Sequence, residues 1–405
     1  MDYKVKNVYG KIRKDKVNVA VPGSKSITAR ALLLAALADG ESVLHGVQFS
    51  DDCATFLNCL ETLGINCSVR TDAVTVEGCG GRPERKSARL NVGSAGTAAR
   101  FIPAFLAFCE GEYFLDCSDQ MKARPAAPLI SALKSVGAKF SFYGNNNSYP
   151  FTVRGASNPD TKVEVDISQS SQFLSALLIS CVCAGKPFEI TVKGDHGLDY
   201  VSMTVEMMKS FGGDVSVSDG TYRVCGGYAA REYFIEPDAS AACYFYAMNK
   251  ILSTRVRVNG LPARSLQGDV KFIELLENFD GGKIDMGGFS DQALTLAAIA
   301  PYLSRPTEIC GVAHIRRQEC DRIRAIAVNL NAMGVRCQER ADGVIIYPSQ
   351  PKPAVIETFG DHRVAMSFAL TGLRADGIVI KNAEVCSKTF KNYFEVMDKL
   401  LIDLT

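Results

Sequence analysis

Six times along this chain a small polar cluster runs directly into an Ala-rich apolar stretch, and no other feature limits the fold as much. The clusters are Ser24–Lys25–Ser26, Gly93–Ser94–Ala95–Gly96–Thr97, Ser170–Ser171–Gln172, Asp238–Ala239–Ser240, Ser290–Asp291–Gln292 and Gly360–Asp361–His362–Arg363. A stretch such as Ile27 to Ala38 is apolar nearly all round, which predicts a buried helix rather than an amphipathic surface one. Each polar cluster then sits at a helix N-terminus, where unsatisfied N–H groups and the helix dipole favour anions. Several of these ends also carry Lys or Arg. Converging ends of this kind make a site for a small, multiply charged anion.

A second unit follows each apolar stretch. Phe56–Gly64, Leu129–Gly137, Val205–Gly212 and Ala325–Gly334 read as amphipathic helices stopped by a C′ glycine, each followed by a strand, a turn and another strand. Successive repeat starts lie about 70 residues apart, except between the fourth and fifth, where the interval shrinks to about 50. The fourth repeat is therefore expected to lack its hairpin. The pattern predicts an α/β chain of two similar lobes, each built from three helix–strand–helix–strand–strand repeats. One lobe is expected over residues 18–230 and the other over 1–17 with 231–405, the hinge lying near 228–233.

At 405 residues the chain is long enough for two or three real cores. Its formal net charge of +1 provides no global field to recruit nucleic acid or a membrane surface, so anion selectivity has to be local. The first residues lack an apolar signal region, and no apolar run reaches the roughly 18 residues of a membrane span. Fourteen cysteines include no C-x-x-C pair, and the four histidines are scattered. No metal site is expected, and the compartment reads as reducing cytosol.

Taken singly, the motifs have ordinary readings. Ser24 or Ser26 caps a helix with Lys25 at its mouth, and Arg30 lies one turn along from Ser26. Gly93 and Gly96 allow backbone to approach a ligand, without the Walker spacing of a nucleotide loop. Asp291 alone reads as an N-cap. The charge-dense run Arg316–Arg322 reads as a solvated face. An Arg just before a buried helix, as at Arg363, is costly unless paired with an anion.

Taken together, Pro22–Ser26, Ser94–Arg100, Lys122–Pro125, Ser170–Leu174, Glu319–Arg322, Asp361–Arg363 and Lys388–Phe390 resemble the 5-enolpyruvylshikimate-3-phosphate (EPSP) synthase family, collinearly from about Lys25 to Phe394. The resemblance implies a two-lobed inside-out α/β barrel. It implies transfer of the carboxyvinyl group of phosphoenolpyruvate to the 5-hydroxyl of shikimate 3-phosphate. The reaction runs by addition and elimination, without metal or organic cofactor, and the lobes close around the substrates. Carried over by position, Lys25, Ser26, Arg30, Ser170, Ser171, Gln172, Asp291, His314 and Gln318 would meet shikimate 3-phosphate. Lys25, Gly96, Arg124, Gln172, Arg322, Arg363 and Lys388 would meet phosphoenolpyruvate. Asp291 would accept the hydroxyl proton, Glu319 or Lys388 would supply one to the methylene carbon, and Lys25 completes the catalytic set. Glyphosate is an expected inhibitor and a monomer the expected form.

Four positions depart from the family pattern. Gln318 stands for a Lys, His314 for an Asn, Phe101 for a Pro, and a Ser is missing around Gly197. Two other readings follow from these departures and from kinship: an inactive homologue that binds anions, or the sister transferase acting on UDP-N-acetylglucosamine. The sister family needs a reactive Cys where this chain has Asp119.

Overall fold

The computed structural model describes residues 1–405, and the chain divides into two compact units. One is contiguous, Gly23–Glu236; the other joins Met1–Pro22 to Pro237–Thr405. Each of the six apolar stretches forms a helix: Lys25–Leu37, Ala98–Ala107, Gln172–Ser180, Ala239–Leu252, Ala293–Ile299 and His362–Gly372. Consecutive residues on a helix point about 100° apart, yet Leu32, Leu33 and Leu34 are all fully buried. The helix is enclosed on every side, as its uniform apolarity requires. Ser24, Asp238 and Asp361 cap three of the six by accepting the N–H groups of Ile27, Ala241 and Arg363. Thr97, Ser171 and Gln292 hold the same position without a side-chain cap bond.

In four repeats the strand before the central helix pairs in parallel with the strand after it. These are Ser87–Asn91 with Glu112–Asp116, Lys162–Asp166 with Phe188–Lys193, Gly282–Asp285 with Thr307–Cys310, and Ala354–Ile356 with Ile378–Ile380. In the first and fourth repeats the leading strands are exchanged. Asn18–Val19 leads into Lys25–Leu37 but pairs with Arg257–Val258. Glu232–Phe234 leads into Ala239–Leu252 but pairs with Asp39–His45. The chain thus completes a strand in one unit before each crossing. For that reason the boundaries fall after Pro22 and Glu236, a few residues later than the sequence expectation of 17/18 and 230/231.

The amphipathic helices Asp51–Thr62, Ala127–Ser135, Leu198–Ser210 and Arg322–Ala332 each pack one face inward and are followed by Gly64, Gly137, Gly212 and Gly334, all at positive φ. In the fourth repeat, helix Val270–Asn278 passes straight to strand Gly282–Asp285 without a hairpin, and its sheet has only two strands. The sixth repeat has none either. There Tyr3–Lys4 pairs antiparallel with Val379–Ile380, the place that Val344–Ile346 takes beside Thr307–Cys310 in the fifth. No helix is long and apolar enough to cross a membrane.

Candidate active site

In the contiguous unit, three central helices present their N-termini with the expected polar residues. Lys25 opens its helix and its ammonium is ion-paired with the buried carboxylate of Asp52. A small cavity beside this pair is lined by Lys25, Thr28, Gln48, Asp52 and Thr97. Arg30 is buried, and its fork is taken up by protein. Nε donates to Thr204 Oγ1 at 2.7 Å, Nη1 to the Ser26 carbonyl at 3.0 Å, and Nη2 to Ser175 Oγ and the Tyr200 carbonyl, both at 3.2 Å. Burial lowers its pKa to about 10, which leaves it charged at neutral pH. Arg30 therefore fixes the backbone under Ser26 and joins it to the third repeat. Phe101, the departure from Pro, supports it, with the guanidinium 5.6 Å from the ring centroid.

Gly96 is where a side chain would be felt most directly. A Cβ there would stand 3.1 Å from Arg124 Nη1, so glycine lets the guanidinium lie against the loop. Arg100 ties the two segments together, donating to the Gly96 carbonyl at 3.4 Å and the Pro125 carbonyl at 2.8 Å. In the third repeat, Ser170 Oγ accepts the Gln172 N–H at 3.3 Å. Gln172 Oε1 is buried without a hydrogen-bond partner, an acceptor waiting for a donor. The missing Ser near Gly197 also has a steric reading. Gly197 has φ +66° and a Cβ there would lie 2.7 Å from Ser171 Oγ, so a side chain would collide with the site.

In the other unit, Arg322 is the hub. It is 2% exposed, and its three nitrogens reach four side-chain acceptors. Nε donates to Asp361 Oδ2 at 2.8 Å, Nη1 to Asp291 Oδ1 at 3.0 Å and to Gln318 Oε1, and Nη2 to Glu319 Oε2 at 3.1 Å. Arg363 Nη2 donates to Asp291 Oδ2 at 2.8 Å. Lys388 Nζ lies 3.5 Å from Glu319 Oε1, and His314 Nε2 is 2.8 Å from Ser290 Oγ. Asp291 is thus no N-cap: it sits in the short turn Gly287–Gln292 before its helix, and two guanidinium groups hold its carboxylate.

Burial works against charge throughout this cluster, but the ion pairs outweigh it. Burial raises the Asp291 pKa while Arg363 and Arg322 lower it, and the balance lies below the ordinary carboxylate value. Burial likewise lowers Arg322, yet Asp361, Glu319 and Asp291 hold it above its usual range. Cations outnumber carboxylates at the helix ends of the contiguous unit but not here, where Asp291, Glu319, Asp361 and Asp269 face Arg322, Arg363 and Lys388.

Sequence reasoning assembled most of these residues and missed four. Asp52 was hidden in the first turn of a helix, where Asp is unremarkable. Arg100 lay within a quoted motif without a role. Asp361 reads as a cap and is also an Arg322 partner. Asp269 lies outside every motif. The sister-family reading finds no support in chemistry: Cys117 is buried, and burial pushes its thiol up to about 12. Asp119 is an exposed residue paired with Lys122.

The sequence profile of the family described as EPSP synthase (3-phosphoshikimate 1-carboxyvinyltransferase) matches residues 11–282 and 276–397. A protein of Trichormus variabilis named 3-phosphoshikimate 1-carboxyvinyltransferase is 42% identical, over 95% of this chain and 96% of its own. One from Halalkalibacterium halodurans, named 3-phosphoshikimate 1-carboxyvinyltransferase 2, is 36% identical over 96% and 92%. The solved EPSP synthase of Acinetobacter baumannii is similar at a TM-score of 0.81 and 21% identity, covering 98% of both chains. An enolpyruvyl transferase from Streptomyces tendae gives 0.71 at 15% identity over 98% and 96%. The likeness to these two is one of fold.

Proposed function

This chain belongs to the EPSP synthase family, and from that premise we propose roles for the residues gathered in its two units. It is a 3-phosphoshikimate 1-carboxyvinyltransferase with the two-lobed enolpyruvyl transferase fold. It transfers the carboxyvinyl group of phosphoenolpyruvate to the 5-hydroxyl of shikimate 3-phosphate and releases phosphate. In our assignment Lys25, Ser26, Ser170, Ser171 and Gln172 hold shikimate 3-phosphate, with Arg30 setting the backbone beneath Ser26. His314 and Gln318 contribute hydrogen bonds from the other unit; Gln318 replaces the charge of the family's Lys with an amide. Lys25, Gly96, Arg124, Gln172, Arg322, Arg363 and Lys388 hold phosphoenolpyruvate.

Asp291 takes the proton from the 5-hydroxyl as its oxygen attacks C2 of phosphoenolpyruvate. A carboxylate with a depressed pKa is a weak base, and the substrate corrects this. A phosphate or carboxylate arriving on Arg322 and Arg363 competes with Asp291 for their charge, so proton affinity rises as the substrate binds. The methylene carbon is protonated by the Glu319–Lys388 pair, whose two members face one another. Elimination then returns a proton from that carbon and expels phosphate. Glyphosate, a small anion, is expected to compete for the phosphoenolpyruvate cations. A monomer is the expected working form.

One observation carries the assignment. Asp291, Glu319, Arg322, Arg363 and Lys388 come from four separate stretches of sequence and form one connected ion-pair cluster. The test is phosphate release by purified protein given both substrates, beside Asp291→Ala. Release that needs both substrates and falls by about a thousandfold or more in the variant is expected. Undiminished release by the variant would overturn the assignment of the base.

A further inference from the structure

Asp269 stands at the N-cap position of helix Val270–Asn278, yet its side chain makes no cap bond. An Asp at this position ordinarily spends its carboxylate on the helix's own N–H groups. Here it turns into the protein, where the residue is 5% exposed. Oδ2 accepts from Ser240 Oγ at 2.9 Å and Oδ1 from Gln292 Nε2 at 3.0 Å. Both donors border the cluster assigned to catalysis. Ser240 Oγ lies 3.5 Å from Arg363 Nη2, and Gln292 is the chain neighbour of Asp291, its Oε1 accepting from Thr295.

We propose that Asp269 is a positioning residue for the transfer reaction, a buried carboxylate that sets Arg363 and Asp291 through Ser240 and Gln292 and favours a proton on Asp291. This rests on the assignment of Asp291 as base. The hydroxyl of Ser240 points its proton at Asp269, which leaves its lone pairs for Arg363. Gln292 is oriented at both ends, so the turn carrying Asp291 is held from behind. The charge acts as well. Asp269 faces Asp291 and Arg363, and a second negative charge makes Asp291 easier to protonate. Burial, and after it the same repulsion, raises Asp269 itself, to about 6. The other titratable neighbours are the thiol of Cys243, whose Sγ contacts the Asp269 carbonyl, and Asp238 at the start of the same central helix. Lys271 and Glu274 follow on its own helix.

The discriminating variant is Asp269→Asn, which keeps the shape. Its Oδ1 still accepts from Gln292 and its Nδ2 donates to Ser240, reversing that bond and removing the charge. A residue with a merely structural role loses stability when changed. Asp269→Asn is expected instead to melt no lower than the parent at pH 7.5. Its kcat is expected to fall about tenfold or more, and the acid limb of its pH profile to move to lower pH. Ser240→Ala, which breaks the link to Arg363, is expected to raise KM for phosphoenolpyruvate severalfold. It is also expected to make the two changes non-additive. Asp269→Asn with the parental kcat, KM and pH profile would overturn the proposal. Should that variant fail to fold, parental kinetics in Ser240→Ala would do the same. An Asp291→Ala enzyme with full activity would instead overturn the assignment beneath it.

Discussion

A single guanidinium holds three carboxylates in the discontinuous unit, and that concentration of function on Arg322 makes its removal costly. Arg322→Met would leave the buried Asp361 and its neighbours Glu319 and Asp291 facing one another without their shared cation. Breaking a buried pair from one side costs about 3–5 kcal/mol. The expected outcome is a loss of that order in urea unfolding at pH 7.5, together with loss of turnover. Gly96→Ala is a gentler case. A Cβ would stand 3.1 Å from Arg124 Nη1, so the guanidinium shifts by a few tenths of an ångström and the fold is unchanged. KM for phosphoenolpyruvate should rise severalfold with kcat largely kept, as loss of ground-state binding predicts. The two aspartates have opposite signs in stability. Asp291 is lowered in the folded state, so its contribution is present above the ordinary carboxylate value and is lost as pH falls through its own. Asp269 is raised from 3.8 to about 6, so folding loses stability as pH rises between those values and the penalty is complete above them. Asp269→Asn should remove it, with a gain of about 1–3 kcal/mol at pH 7.5 that vanishes near pH 4 in thermal melts. Arg322, Gly96 and Asp291 were named from the sequence motifs, but the opposite signs of the two aspartates were not legible there. An Asp before a helix reads as a cap, and only the direction of its side chain shows that Asp269 and Asp291 are not.

The central helices show what periodicity reads well. Apolar residues on all sides of Lys25–Leu37 require enclosure, and Leu33 is fully buried. Leu33→Ala should cost about 2–5 kcal/mol through lost burial and a residual cavity. The change faces the core rather than the helix mouth, so KM for both substrates should stay parental in the folded fraction. The amphipathic helices and hairpins were equally readable, as was the shortened fourth repeat, because each carries a periodic pattern or a terminating glycine. The shortest strands were not. Tyr3–Lys4 and Asn18–Val19 contain two residues each, too few for alternation to show. Their partners, Val379–Ile380 and Arg257–Val258, lie hundreds of residues away. The sequence places residues 1–17 with the C-terminal lobe, but the short strand pairings that carry the exchange were invisible for the same reason, and with them the boundaries after Pro22 and Glu236.

The exchange decides which parts of the chain stand alone. Residues 23–236 contain all three sheets of their unit, including Glu232–Phe234 beside Asp39–His45. Residues 237–405 do not. Arg257–Val258 has Asn18–Val19 as its only sheet partner, and Ile378–Ile380 takes its antiparallel neighbour from Tyr3–Lys4. Val5, Val8 and Val19 are buried in the core of that unit, and Arg13 donates its N–H to the carbonyl of Leu404 at 2.8 Å. A fragment of residues 23–236 is therefore expected to fold on its own, with dispersed amide resonances and a cooperative melt. Residues 237–405 alone should lack such a melt, because two sheets lose a strand and the core loses three valines. Appending residues 1–22 after Thr405 through a flexible linker should restore it, since the C-terminal helix already lies against the N-terminal segment. Cooperative unfolding of 237–405 without residues 1–22 would mean that these strands decorate the unit rather than complete it.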